Sequence, residues 1–177
     1  MVEYSRFVRR STTPFEREEL VRVDALANQL LSSLKSIAEL IVRVHIHNAP
    51  SKAVQDLVAE RLRTDLAFVQ ERVLDPQEGF VSRARPDIYF DLGGGRGILA
   101  EVERGGTVTN NHDLKDMWKT HMAREAQHLF LVVPVSNVNR SGKSREKPFL
   151  RVRSRIGAFF GDERREVDVV SAHIFGY

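Results

Sequence analysis

The chain has 177 residues, 42% apolar and 29% charged, with six histidines, no cysteine and a formal net charge of +3 at pH 7. That is enough apolar material for one compact domain and too much for a disordered chain, and the lack of cysteine excludes disulfide scaffolds, cysteine-based zinc sites, thiol nucleophiles and iron–sulfur clusters. No run approaches the roughly 18 apolar residues of a membrane span, and residues 1–10 have no apolar stretch of the signal-peptide kind, so a cytoplasmic protein without a membrane partner is expected.

Residues 1–14 are polar and basic and close on Thr13-Pro14, the composition of a flexible arm. The remainder, 15–177, reads as a single domain. From Phe15 to about Ile46 the apolar positions Val23, Leu26, Leu30, Leu34, Ile37, Ile41 and Val44 recur every three or four residues, which predicts one long amphipathic helix within 15–47. Such a helix has more apolar surface than a small domain needs to cover: it packs across the core, or it serves as a homodimer contact. His45 and His47 end the segment, where two positions of separation make them diverge on a helix, and Pro50 breaks it.

The segment 51–135 holds the core. Ser51 caps a helix with Val54, Leu57, Val58, Leu62 and Leu66 on one face and Gln55, Glu60 and Arg61 elsewhere. Three segments of strand character follow, at 68–74, 81–92 and 98–104, the last two joined by Gly93-Gly94-Gly95-Arg96-Gly97. No Lys-Ser/Thr and no helix follow these glycines, so they predict a hairpin turn with positive φ angles and not a phosphate loop. A helix is predicted over 112–127 and a strand buried on both faces over 129–133. In 136–177 come a basic loop (137–147), a helix ending at Gly161 and a strand over 167–175. This order argues for an α/β sandwich: helices flanking a mixed β-sheet, with a long N-terminal helix.

The acids sit where the strands are otherwise apolar. Glu101 and Glu103 are two apart on a predicted strand, so both leave one face while Ala100 and Val102 leave the other. Asp87 opens the partner arm of the hairpin, and pairing across the turn brings it within reach of Glu101. Three converging carboxylates are costly without a cation, and hard oxygen donors suit Mg²⁺ or Mn²⁺. Strand acids facing water are the alternative.

The order helix–strand–strand–strand–helix–strand, with Pro86-Asp87 on the second strand and Glu101-Val102-Glu103 on the third, resembles the restriction-endonuclease-like, or PD-(D/E)XK, nuclease superfamily over roughly 51–135. The resemblance implies a restriction-endonuclease-like fold in which Asp87 and Glu101 hold the metal and Glu60, on the preceding helix, is the extra acid many members bring to it. The superfamily usually has lysine where this chain has Glu103, although some members carry Glu-x-Glu and cut DNA. Glu103 would then act as base or as a further metal ligand, and the missing positive charge could come from the following helix. Lys115 and Lys119 lie on one face there, and Lys119 is the favoured candidate, with a plain ion pair to Asp116 as the alternative. Asn111 or Asp113 is expected to cap that helix, and His112 has no assigned role.

Positive charge collects after the core. Arg140, Lys143, Arg145, Lys147, Arg151, Arg153 and Arg155 are set against Glu146 alone, a pattern suited to a phosphate backbone, with Arg6, Arg9 and Arg10 as possible additions; a solvated basic face is the other reading. The expectation is a Mg²⁺-dependent deoxyribonuclease whose partner is DNA. The alternative is a non-catalytic DNA-binding or protein-interaction module that retains the nuclease fold.

Overall fold

In the computed structural model, which describes residues 2–46, 51–70, 74, 88–103, 107–138, 140–141, 144–165 and 167–177, the helical spacing from Val23 onward forms α1 (Pro14–Ser36). Its start follows from local chemistry. Thr13 Oγ1 accepts the Glu16 N–H at 3.2 Å, Glu16 Oε2 accepts the Thr13 N–H at 2.8 Å, and Pro14 occupies the first turn, where no N–H is needed. The expected single helix is interrupted at Ile37, whose φ of −105° and ψ of 10° leave the helical region, and α2 (Ala38–Val44) resumes beyond it. The hydroxyls of Ser32 and Ser36 bond back to the carbonyls of Asn28 and Ser33 just before this point, competition with the helix ladder that bends helices.

After α3 (Ser51–Leu66) and the short β2 (Val69–Gln70), the glycine-rich turn joins β3 (Ile88–Gly93) to β4 (Arg96–Val102). Gly93, Gly94 and Gly95 have φ of 92°, 63° and 72°, as the turn reading requires. Then follow α4 (His112–Met122), β5 (His128–Val133), a small hairpin of β6 (Asn137–Val138) and β7 (Ser144–Glu146), α5 (Pro148–Gly161) and β8 (Ser171–Gly176). The basic loop read over 137–147 thus contains a hairpin.

Residues 3–8, read from composition as part of a flexible arm, instead form β1 (Glu3–Val8), paired antiparallel with β8 from Glu3↔Gly176 to Val8↔Ser171. Five of its six residues are part-buried and only Arg6 is exposed, so no clean alternation marks it, and pairing with the distant β8 edge makes the segment a strand. Of the strand expected over 68–74, Val69–Gln70 form β2, and residues 71–73 and 81–87, including Pro86 and Asp87, lie outside the described residues.

The protein is mixed α/β, with a six-stranded sheet ordered β1-β8-β5-β4-β3-β2. β4, β5 and β8 run parallel; β1, β3 and β2 pair antiparallel with their neighbours. Ile98, Ala100, Val102, Phe130, Val132 and Phe175 face the helices α1, α2 and α3. On the opposite face Leu99, Leu129, Leu131 and Ile174 meet Met117 of α4 and Phe149, Val152 and Ile156 of α5. Every residue of β5 is buried, as its unbroken apolar run predicts. Among the described residues no helix is long and apolar enough to cross a membrane.

Candidate functional site

Strand alternation aims Glu101 at α4. Leu99 and Glu101 share a face, whereas Ala100 and Val102 enter the core on the other, as the sequence predicts. Glu101 is only 4% exposed, and Lys119, reaching from α4, places Nζ 2.5 Å from Glu101 Oε1. The same ammonium lies 3.2 Å from Oδ1 of the buried Asp116, one helical turn earlier. Burial works against the charge on Lys119, but the two carboxylates outweigh it and raise its pKa above the ordinary value. Lys115 is exposed. Both readings of Lys119 therefore hold geometrically: it pairs with Asp116 and it reaches Glu101.

Glu103 lies one residue past β4 yet is tightly held. Its N–H donates to the Val132 carbonyl at 2.8 Å and its own carbonyl accepts the Tyr177 hydroxyl at 2.9 Å. The carboxylate turns to α4 as well, where Oε2 is 2.8 Å from His112 Nδ1. Both acids of the Glu-x-Glu pair thus address one helix, Glu101 near its end and Glu103 at its start.

His112 is positioned by a clamp that sequence reasoning missed. Asn111 stands at the N-cap of α4 with φ of 55° and ψ of 35°, but its side chain makes no capping bond. Instead Asn111 Oδ1 accepts from Arg155 Nη2 at 2.7 Å, while Arg155 also bonds the Val108 carbonyl at 3.2 Å and places Nε 3.3 Å from Asp113 Oδ2. Asp113 is fully buried; that burial raises its pKa, and Arg155 opposes the shift. The capping role read for Asn111 or Asp113 gives way to anchorage of the 107–113 segment by Arg155, a long-range partner with no local sequence signal.

Glu60 is exposed on α3; the side chain of that helix that reaches β4 is Gln55, whose Nε2 donates to the Val102 carbonyl at 3.0 Å. Asp87 lies outside the described residues, and among those described no three His, Asp or Glu side chains converge as a metal-binding group. Arg140, Arg145, Lys147, Arg151 and Arg153 are exposed, and Lys143 lies outside the described residues. The N-terminal arginines are occupied: Arg6 pairs with both oxygens of Asp24 at 2.6 and 2.7 Å, Arg9 with Glu16 and Asp168 at 2.7 and 2.9 Å, and Arg10 donates to the Gly161 carbonyl at 2.6 Å. His45 is part-buried and meets Tyr177 edge-on, and His47 lies outside the described residues.

At the opposite ends of the strands, a polar chain crosses the α1-facing side of the sheet. Tyr4 Oη lies 2.7 Å from His173 Nδ1, His173 Nε2 3.0 Å from Ser171 Oγ, Ser171 Oγ 2.7 Å from His128 Nδ1, and His128 Nε2 2.9 Å from Glu19 Oε1. Arg96 closes the chain with a fork onto Glu19 at 2.6 to 3.0 Å. Burial lowers the pKa of His128, with Glu19 opposing, and drives that of His173 down to about 3. Burial also opposes the charge of Glu19, but His128 and Arg96 prevail and bring its pKa to about 2. Ser171, His128 and His173 are each 0% exposed, so this serine beside a histidine and a glutamate is a structural network closed to substrate. The chain matches no protein-family model and no curated protein sequence.

Proposed function

We propose that this protein is a Mg²⁺-dependent deoxyribonuclease of the PD-(D/E)XK kind. The observation that carries the reading is the Glu101–Lys119 contact, in which a lysine from the helix after the acidic strand reaches the carboxylate beside the position where Glu103 replaces the superfamily's lysine. The arrangement α3, β2, β3, β4, α4, β5, antiparallel through β4 and parallel between β4 and β5, is consistent with a restriction-endonuclease-like core.

Glu101 fits a hard divalent ion: it is an oxygen donor on a rigid, paired strand. Asp87, outside the described residues, immediately precedes Ile88 in sequence, and Ile88 pairs with Ala100, the residue before Glu101. Glu101 and Asp87 would hold the ion, which supplies polarisation of the phosphate and acidification of a bound water. Lys119 then orients phosphate oxygens and balances charge developing on them. Glu103 serves as acceptor at the edge of the site, held in place by Tyr177, Val132 and His112. Exposed Arg140, Arg145, Lys147, Arg151 and Arg153, with Lys143, would meet flanking phosphates.

The test is cleavage of plasmid and linear DNA with Mg²⁺ or Mn²⁺. Wild-type protein is expected to cut, and Asp87→Ala and Glu101→Ala to bind DNA without cutting. Purified protein that cuts no DNA with either metal defeats the reading.

A further inference from the structure

The charges of α4 are divided by face. Its acids, Asp113 and Asp116, are buried, and Lys119 is engaged by Glu101 and Asp116. Outward, the helix presents an aromatic ring among cations. Trp118, the one tryptophan of the chain, is 58% exposed. Exposed Lys115 precedes it by about one turn, and exposed Arg124 follows just past the C-cap residue Ala123. The side chains of Lys115 and Arg124 make no hydrogen bond or ion pair among the described residues.

A single exposed apolar side chain is ordinary on a protein surface, but Trp118 differs in two respects. First, its ring is supported. His121, one turn further on, lies 5.1 Å away between ring centroids at an angle of 44°, and its Nδ1 accepts the Asp168 N–H at 2.9 Å. The imidazole is thereby tied to the segment that leads into β8, and a ring held in this way loses little freedom when a ligand stacks on it. Second, the neighbouring charge is positive, since Asp168 is itself paired with Arg9 at 2.9 Å. The other well-exposed aromatic, Phe15, already lies beneath the Arg96 guanidinium. An apolar protein partner would have to desolvate Lys115 and Arg124 without compensation. A nucleic-acid strand supplies both halves of the match, a base for the indole and phosphates for the cations.

We infer that Trp118 is a stacking platform for an unpaired nucleobase, with Lys115 and Arg124 on the flanking phosphates. The inference rests on the partner named in the proposed function, DNA, and narrows it to strands with unpaired bases. A base inside a duplex has both faces covered by its neighbours, so recognition by stacking selects against it. Trp118 directly precedes Lys119, which reaches Glu101, so the platform adjoins the carboxylate site.

Emission from the single indole reads the contact directly. Full-length protein in EDTA at low salt, where metal-dependent cleavage is off, should be titrated with oligothymidylate and with the same strand annealed to oligodeoxyadenylate. The single strand is expected to quench Trp118 and to bind about fivefold or more tighter than the duplex. By anisotropy of the labelled single strand, Trp118→Ala should lose about tenfold in affinity, with the dependence of log K on log salt unchanged. Trp118→Phe should recover much of that loss, and Lys115→Gln with Arg124→Gln should instead flatten the salt dependence. The inference is overturned if the single strand leaves the emission unchanged, if the duplex binds as tightly, or if Trp118→Ala binds as wild type does. A mass that falls from dimer to monomer in Trp118→Ala also overturns it, because the indole then covers a second copy. Protein that binds and is quenched but cuts no DNA with Mg²⁺ or Mn²⁺ defeats the nuclease reading and supports this one. Protein that cuts duplex DNA without quenching by the single strand does the reverse.

Discussion

Lys119 and Glu101 meet across the interface of α4 and β4, with Nζ 2.5 Å from Oε1, and Asp116 shares the same ammonium at 3.2 Å. One cation thus serves two carboxylates whose side chains are 5% and 6% exposed. The arrangement ties the packing of α4 onto the sheet to the electrostatics of the candidate site.

Lys119→Met removes that cation while keeping most of the side-chain volume. Because Lys119 itself is 26% exposed, the expected loss is discounted from that of a fully buried pair, to about 2 kcal/mol. The sign with pH follows from its raised pKa. The stabilisation is fully present below the ordinary lysine value of 10.5 and disappears as pH rises through the higher folded value. Urea unfolding of both proteins at pH 8 and above pH 11 should show the wild-type advantage shrinking at the alkaline end. An unchanged advantage there would mean that the ion pair does not stabilise the fold.

The Tyr4–His173–Ser171–His128–Glu19 chain predicts acid sensitivity. A consistent set of donors runs one way: Tyr4 to His173 Nδ1, His173 Nε2–H to Ser171, Ser171 to His128 Nδ1, and His128 Nε2–H to Glu19. Both imidazoles are neutral in this scheme, and a proton added to either removes an acceptor. Their folded pKa values lie below the ordinary 6.5, so their contribution is present above pH 6.5 and is lost as pH falls, toward about 3 for His173. For His173 the full loss is on the order of 5 kcal/mol. Denaturant midpoints from pH 7.5 down to 4 should fall steeply in wild type and less steeply in His173→Gln. Parallel slopes would show that these groups do not control acid stability.

How far the sequence foretells this arrangement depends on the range of each interaction. The apolar spacing of α1, the alternation that puts Glu101 opposite Ala100 and Val102, and the helical reach of Lys119 are local properties, and each is legible residue by residue. The strand at Glu3–Val8 is not, because its identity comes from pairing with Ser171–Gly176 at the far end of the chain. For the same reason Arg6 and Arg9 look available in the sequence but are neutralised by Asp24, Glu16 and Asp168 in the fold. His112 meets Glu103 beside Val108 and Asn111, which Arg155 of α5 holds, a placement no local motif records.

Gly97 predicts a steric limit on β4. A Cβ there would overlap the Tyr89 phenol and lie 2.6 Å from the Phe90 carbonyl oxygen. Tyr89 cannot retreat cheaply, since it is 1% exposed and its hydroxyl donates to the Glu125 carbonyl at 2.7 Å. Gly97→Ala should therefore cost about 2 to 3 kcal/mol, in the range of overpacked cores. Gly161→Ala, where the added methyl meets nothing within 4 Å, is the control and should leave the melting temperature almost unchanged. Equal melting temperatures for the two variants would contradict the close packing of Tyr89 on β4.

The arginines of α5 separate function from structure within five residues. Arg151 and Arg153 are exposed, whereas Arg155 is drawn inward to Asn111, Val108 and the fully buried Asp113. If the helix meets DNA, Arg151→Ala with Arg153→Ala should weaken binding of any sequence and flatten the dependence of log K on log salt by about 2, close to one unit per lost phosphate contact. Its melting temperature should not move, because neither side chain is buried. Arg155→Ala should behave in the opposite sense. It leaves the Asp113 carboxylate without its ion pair and releases the segment before α4, at a cost of about 2 to 3 kcal/mol, with no change in the salt slope. A salt slope that responds to Arg155→Ala and not to the outer pair would move the nucleic-acid contact from the exposed face of α5 to the segment before α4.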